Sequence, residues 1–155
     1  MLRLSKLTDY AVVVMVHLES CGGVTTSPSL ALETGIPEPT VAKVLKALSG
    51  AGLVVSQRGP RGGYRLASDL AQVPVARVIA AIDGPISLTA CVDGAVGGCE
   101  AQGLCPVRGR WDAVNAAIRT ALTHITLADM RPQPRPAAFV PDPRPTARVA
   151  SEVAE

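Results

Sequence analysis

The sequence predicts a mainly α-helical fold: a winged helix-turn-helix with a two-stranded wing and a long C-terminal dimerisation helix. Three patterns predict it. Apolar residues recur every three or four positions through most of the first fifty residues, which is typical of helices. Two short strand-like runs then flank a turn rich in glycine, proline and arginine, which is typical of a β-hairpin. Further along, apolar residues are spaced like the seam between two packed helices.

Length and composition limit the possibilities. The chain has 155 residues, 48% of them hydrophobic and 3% aromatic, so we expect one ordinary domain with an aliphatic core. The formal net charge is +2, but residues 1–67 hold seven basic side chains against four acidic ones. This excess favours a polyanionic partner such as DNA.

The first two predicted helices precede the reading helix. Residues 5–20 form a helix capped by Ser5 and apolar nearly all round, which predicts burial on several sides, including against a second subunit. Residues 27–35 form a shorter helix, with Ser27 as its N-cap and Gly35 as its stop.

The next helix completes a helix-turn-helix. Pro37 and Pro39 open it, and a buried stripe follows, made of Val41, Val44, Leu45 and Leu48. In this motif the second helix lies in the major groove of DNA, so we expect Thr40 and Lys43 on its groove-facing turns.

A hairpin follows the reading helix, with strands at residues 53–56 and 63–66. Its turn carries Arg58 and Arg61, which we expect to enter the neighbouring minor groove or contact phosphates. The alternative is that both arginines are solvated at the hairpin tip.

The C-terminal half begins with a linker helix at residues 75–82, ended by Gly84 and Pro85. From Pro106 a long helix places apolar side chains on one seam, which suits a dimer interface or, alternatively, packing within the chain: Trp111, Val114, Ile118, Leu122 and Ile125. From residue 131 the chain becomes proline-rich, which predicts a disordered tail.

Three cysteines in a glycine-rich segment, Cys91, Cys99 and Cys105, predict a metal site. Thiolates select zinc, copper(I) or iron–sulfur clusters, and a fourth ligand must come from elsewhere. A disulfide and free thiols remain alternatives, and the spacing departs from the paired cysteines of zinc fingers. We interpret Cys21 as a free packing thiol and His17 as a residue of the helix face without a metal partner.

The expected organisation is a DNA-binding domain (1–67), a linker helix (68–87), a cysteine segment (88–105), a dimerisation helix (106–130) and the tail (131–155). The apolar run at residues 10–16 is too short for a membrane span or a good signal peptide, so we expect a cytoplasmic protein without a membrane partner. No histidine or general base is placed to activate a cysteine, which argues against an enzyme with a small-molecule substrate.

Four stretches together resemble one known family. They are the opening Met-Leu-Arg-Leu-Ser-Lys-Leu-Thr-Asp-Tyr-Ala, the wing Arg58-Gly-Pro-Arg-Gly-Gly-Tyr64, the three-cysteine segment and the run His124-Ile-Thr-Leu-Ala-Asp-Met130. Over about residues 1–130 the chain resembles the iron–sulfur winged-helix repressors typified by IscR and NsrR. It is most similar to the regulators of the SUF iron–sulfur assembly operon.

The resemblance implies a homodimer that binds a double-stranded DNA operator and represses iron–sulfur assembly genes. It also implies an iron–sulfur cluster held by Cys91, Cys99 and Cys105, with a 2Fe–2S cluster favoured over a 4Fe–4S cluster. The state of that cluster would report iron–sulfur, redox or nitric oxide status. A zinc or thiol–disulfide switch, or an electron or cluster carrier, are the alternatives.

Two positions depart from the family pattern. Arg108 occupies the place of the histidine ligand of IscR and cannot bind a metal, and His124 lies too far along the chain to replace it. Asp9 matches the Thr-Asp motif of NsrR, where the aspartate completes the cluster from the other subunit; otherwise Asp9 is a surface or capping residue. Ala42 stands where IscR has a glutamate on its reading helix, so the DNA sequence that is read can differ.

Overall fold

The computed structural model describes residues 3–92 and 104–132, and these residues form the winged helix-turn-helix fold that the sequence predicts. The fold is mainly helical, with one antiparallel pair of strands. The elements are α1 (Lys6–Cys21), α2 (Ser27–Thr34), α3 (Glu38–Gly50), β1 (Val54–Gln57), β2 (Gly63–Leu66), α4 (Val75–Asp83) and α5 (Trp111–His124), with single 3₁₀ turns at Leu70–Gln72 and Leu127–Met130.

Local capping sets the ends of α1 and α2. The Ser5 hydroxyl accepts a 3.1 Å hydrogen bond from the Thr8 amide, as predicted for the start of α1. The predicted cap of α2 was wrong by one residue, because the Thr26 hydroxyl, and not that of Ser27, accepts the bond from the Ser29 amide. Ser27 is already helical. Gly35 ends α2 in the left-handed conformation (φ 70°), which only glycine adopts without strain.

The core lies where α1 packs against α2, α3 and α4. The predicted stripe of α3 is entirely buried, and α1 and α4 each bury part of an apolar face in the same core. The core side chains of these three helices are Ala11, Val14, Met15, Leu18, Val41, Val44, Leu45, Leu48, Val75, Val78 and Ile79. Aliphatic side chains alone therefore fix α3 with its opposite face outward.

The wing is joined to the helix-turn-helix by backbone. Its first strand begins one residue later than predicted, and Val54 pairs with Leu66. Thr25, just before α2, exchanges hydrogen bonds of 2.8 and 2.9 Å with the backbone of Tyr64. A Cβ at Gly63 would lie 2.6 Å from the Thr25 carbonyl oxygen, so this close approach requires glycine. The wing thus keeps a fixed position beside α2.

The C-terminal helix is shorter than predicted. Turns occupy residues 106–110, with Gly109 at φ 73°, and α5 begins only at Trp111. The predicted seam is divided: Leu122 packs against the core, whereas Trp111 and Val114 are 43% and 45% exposed. After α5, the Leu127 amide bonds to the Val73 carbonyl at 2.9 Å and its side chain is buried.

The predicted tail begins at a fixed residue. Arg131 donates hydrogen bonds of 2.7 and 2.5 Å to the two carboxylate oxygens of Glu19, which attaches it to α1. The rest of the tail, residues 133–155, lies outside the described residues. Over the described ranges, no helix has both the length and the hydropathy of a membrane span.

Candidate nucleic-acid interface and metal centre

The outer face of α3 is the candidate reading surface. Lys43 is fully on this face and exposed, and Thr40 is half-buried one turn earlier. Ala42 and Lys46 are exposed on the same side, because α3 buries only its apolar stripe. Lys46 was not among the predicted contacts, although its spacing of three from Lys43 could have indicated it. The surface offers ammonium donors and one hydroxyl to a groove.

The wing tip is the second cationic surface. Arg58 and Arg61 are exposed on either side of Gly59 and Pro60, and the turn closes through a 2.8 Å bond from the Gly62 amide to the Gly59 carbonyl. Among the ion pairs of the described residues, none involves either arginine. Their guanidinium groups are therefore available to an external anion such as a phosphate.

Two of the predicted cluster ligands are described, and they stand at the ends of the segment that carries the third. Cys91 and Cys105 are half-buried free thiols, and the Thr89 hydroxyl lies 3.2 Å from the Cys91 sulfur. Cys99 lies outside the described residues. Unbonded, partly sheltered thiols suit thiolate ligation of a soft metal centre.

The approach to Cys91 is fixed to α5 by a buried amide. Asn115 is 3% exposed, and its side chain accepts a 3.1 Å hydrogen bond from the Leu88 amide and donates one of 3.3 Å to the Ile86 carbonyl. Sequence reasoning missed this residue, since a single asparagine in a helix does not reveal its partners. Asn115 holds the start of the cysteine segment against α5.

The end of α4 is tied to the start of α1. The Asp83 carboxylate accepts hydrogen bonds from the Ser5 amide (3.2 Å) and the Thr8 hydroxyl (2.8 Å). Partial burial acts to raise the pKa of Asp83, but the bonds from Ser5 and Thr8 outweigh it and lower that pKa. The segment that leads to Cys91 therefore shares an anchor with the first turn of α1.

The candidates for a fourth ligand lie in different surroundings. Asp9 is exposed on the first turn of α1, next to the Thr8 anchor. Arg108 lies in the turn that precedes α5. His124 lies at the far end of α5, with its Nδ1 2.8 Å from the Thr120 carbonyl oxygen. Of these three residues, Asp9 is the only carboxylate, and it is exposed on the surface of α1.

Cys21 is a free thiol and His17 lies on a helix face, as predicted, but the predicted packing of Cys21 and the predicted absence of a metal-binding partner beside His17 were wrong. Cys21 is exposed, not packed, and its sulfur lies 3.9 Å from a carboxylate oxygen of Glu33. Nε2 of His17 contacts the same carboxylate, so three potential metal ligands meet at the C-terminal ends of α1 and α2. The spacing of four between His17 and Cys21 indicated a shared helix face, but Glu33 is brought there by tertiary packing.

The chain was compared with known proteins. Residues 4–133 match the family Rrf2, described as an iron-dependent transcriptional regulator. The HTH-type transcriptional regulator IscR of Cronobacter sakazakii is 32% identical over 131 residues, which cover 83% of this chain and 80% of that protein. A putative HTH-type transcriptional regulator of Mycobacterium tuberculosis is 35% identical over 132 residues, covering 83% and 81%.

Solved structures agree with these relatives. CymR, the global cysteine regulator of B. subtilis, superimposes with a TM-score of 0.63 at 28% identity, covering 84% of this chain and 96% of that one. IscR of T. potens gives a TM-score of 0.60 at 29% identity, covering 83% and 85%. These relatives are transcriptional regulators and not enzymes, in agreement with the sequence prediction.

Proposed function

Because the chain belongs to the Rrf2 family of transcriptional regulators, we propose that it is a homodimeric, cytoplasmic repressor controlled by an iron–sulfur cluster. The proposed ligands are Cys91, Cys99 and Cys105 of one subunit, together with Asp9 contributed by the other subunit. The proposed targets are iron–sulfur cluster assembly genes. One observation carries the proposal. Cys91 and Cys105 are free, half-buried thiols, and they lie at the two ends of a segment that is anchored to the DNA-binding helices.

The donor set supports an iron–sulfur cluster, for which we propose the 2Fe–2S type. Cysteine thiolates are the ordinary ligands of such clusters, and an oxygen ligand is harder and binds iron less tightly. A mixed set of this kind suits a cluster that is lost or altered as a signal. When bound, the cluster supplies a redox-sensitive and nitric-oxide-sensitive link between the cysteine segment and the ligand outside it.

Asp9 is the best candidate for that outside ligand. Its exposure on α1 leaves the carboxylate accessible to a second subunit. Its neighbour Thr8 is hydrogen-bonded to Asp83, which anchors the turn of α1 that carries Asp9. Arg108, at the position where IscR has its histidine ligand, offers only a cation and would repel iron.

The contacts that anchor the cysteine segment can transmit a change in the cluster to the DNA-reading helix. Asn115 holds residues 86–88 on α5, and Asp83 holds the preceding helix on α1. Since α1 packs against α2 and α3, a shift of the segment changes the position of the reading helix relative to the partner's. We assign residues 1–67 to DNA reading, 68–87 to this link, 88–105 to the cluster, 106–130 to dimerisation and 131–155 to an appendage.

DNA is read by two surfaces in this account. Thr40 and Lys43 contact base edges in the major groove, while Arg58 and Arg61 contact the adjacent minor groove or its phosphates. A two-fold dimer presents two such sets, so its operator is a pseudo-palindrome with half-sites one helical turn, or a multiple of it, apart. Ala42 in place of glutamate removes a carboxylate from the reading face and alters base preference.

The exposed side of α5 supplies the dimer contact. Trp111 and Val114 present a large apolar surface next to Ile118, while the opposite edge of the seam is already occupied by Asn115 and Leu122. A tryptophan nearly half exposed beside valine is costly in water and gains from burial against a second copy.

Operator spacing tests the proposal. The full chain is titrated against DNA fragments from upstream of the iron–sulfur assembly genes, with the cluster present and absent, and binding is followed by fluorescence anisotropy. We expect affinity to depend on cluster state and to fall when five base pairs are inserted between the half-sites, because half a turn puts them on opposite faces. Binding that is indifferent to cluster state or to spacing would overturn the proposal.

A further inference from the structure

A second group of metal-binding side chains lies away from the cysteine segment. His17 and Cys21 are one turn apart on α1, and Glu33 reaches them from the last turn of α2. One ligand atom from each, nitrogen, sulfur and oxygen, lies within 4.8 Å of the other two. His17 is half-buried, whereas Cys21 and Glu33 are exposed. We propose that these three residues bind a zinc ion that fastens α1 to α2.

The geometry suits a tetrahedral ion. Zinc bonds of about 2.0 Å to nitrogen or oxygen and about 2.3 Å to sulfur place its ligand atoms about 3.3–3.6 Å apart. The Cys21 sulfur and the Glu33 oxygen are 3.9 Å apart, close to that separation. His17 and Glu33 are in direct contact, and the exposed Glu33 side chain has room to open around an ion.

The donor chemistry favours zinc over calcium or magnesium. Hard cations take oxygen ligands, whereas an imidazole, a thiolate and a carboxylate form the mixed set of borderline metals. With a neutral imidazole, the thiolate and carboxylate carry two negative charges, which a divalent ion cancels. Three protein ligands leave the fourth position to water, as the exposure of Cys21 and Glu33 allows.

The surroundings shelter one side of the group. His17 and Glu33 line a cavity of about 380 Å³ whose other walls are mostly apolar: Val12, Val13, Val16, Ser20, Thr34, Met130 and Pro132. The nearest acidic neighbour along the helix, Glu19, is engaged by Arg131 and does not compete for the ion. Low polarity around the ligands strengthens their attraction for a cation.

The consequence is structural. Glu33 lies two residues before Gly35, which forms the turn that orients α3. His17 and Cys21 lie near the C-terminal end of α1, and Asp9, the proposed cluster ligand, lies at its N-terminal end. A zinc ion at this point closes the loop between α1 and α2 and stabilises the helix-turn-helix in proportion to its affinity for the folded form. This site does not depend on the cysteine segment or its cluster.

Cobalt(II) titration tests the proposal, because cobalt replaces zinc and reports thiolate ligation by its absorption. The full chain carries Cys91→Ser, Cys99→Ser and Cys105→Ser, so that Cys21 is the only cysteine left of the four. We expect one cobalt per chain, with a thiolate-to-cobalt charge-transfer band, tetrahedral visible bands and bleaching by zinc. Absence of these bands from a chain with native circular dichroism would overturn the proposal.

Two further variants locate the ligands. Glu33→Gln and His17→Gln, each in the same background, should weaken cobalt binding by about tenfold or more, and unchanged affinity in both would overturn the proposal. Ser20→Ala, a neighbouring exposed position, is the matched control. Should the triple variant not fold, zinc binding is compared between the unaltered protein and Cys21→Ser by calorimetry, and equal stoichiometry would also overturn it. Each result is independent of whether the iron–sulfur cluster exists.

Discussion

The carboxylate of Asp83, at the end of α4, accepts a 2.8 Å hydrogen bond from the hydroxyl of Thr8, in the first turn of α1. Thr8 is only 1% exposed, and its hydroxyl also accepts a 3.3 Å hydrogen bond from the Ser5 hydroxyl, so the bond to Asp83 satisfies its buried donor. It joins two helices that are 75 residues apart in sequence. We propose that the cluster segment and the DNA-binding helices are coupled through this contact.

A double-mutant cycle measures that coupling. Thr8→Val and Asp83→Ala are made separately and in one double variant. The free energy of unfolding of each variant and of the natural chain is measured in urea. We expect a coupling of about 0.5–1 kcal/mol, kept small because Asp83 is exposed and solvent screens it. Additive effects would show that the two helices are coupled by packing alone.

Acid should weaken the same contact. Burial raises the pKa of Asp83, but the hydrogen bonds from Ser5 and Thr8 together outweigh it, so that the folded-state pKa is lowered. Its contribution to stability is therefore complete above the unfolded pKa of about 3.9 and is lost as the pH falls through the lower folded value. We expect the stability difference between the natural chain and Asp83→Asn to shrink below about pH 4. A difference that grows in acid would contradict the assignment.

The wing arginines should act through phosphates or the minor groove. We expect Arg58→Ala and Arg61→Ala each to weaken operator binding and to reduce the slope of log affinity against log salt by about one. Arg77→Ala, an exposed arginine on α4, is the matched control and should leave both quantities unchanged. Equal salt slopes in all four proteins would place the wing away from DNA.

The exposed edge of α5 should control assembly. Val114→Glu puts a charge into the proposed apolar contact, so we expect a shift from dimer to monomer in sedimentation equilibrium, together with weaker operator binding. Thr120→Glu adds the same charge on the other side of the helix and should leave the dimer intact. A dimer that survives Val114→Glu would place the interface elsewhere.

The fold was largely predictable from local patterns. The stripe of α3 and the turn at Gly35 depend on helical spacing and backbone conformation, which a sequence displays directly. The start of α5 was predicted wrongly, because the helix was extended back to Pro106, whereas residues 106–110 form turns, with Gly109 at φ 73°, before the apolar seam begins at Trp111.

The candidate sites were less predictable because they depend on tertiary contacts. The hydrogen bond between Asn115 and Leu88 and the contact between Glu33 and Cys21 each join residues from different parts of the chain. Local sequence patterns do not predict such contacts. The exposed cations were easier to predict. Arg58 and Arg61 sit in a turn, and a turn lies on the surface.

The central claim is that Cys91, Cys99, Cys105 and Asp9 hold an iron–sulfur cluster. The full chain is purified without oxygen, and its visible absorption spectrum is recorded with its iron and acid-labile sulfide content, beside Cys91→Ser and Asp9→Ala. We predict a brown protein with iron and sulfide in near-equal amounts, no cluster in Cys91→Ser, and an altered spectrum in Asp9→Ala. A colourless protein after anaerobic reconstitution, or one that holds zinc in the cysteine segment, would contradict the account.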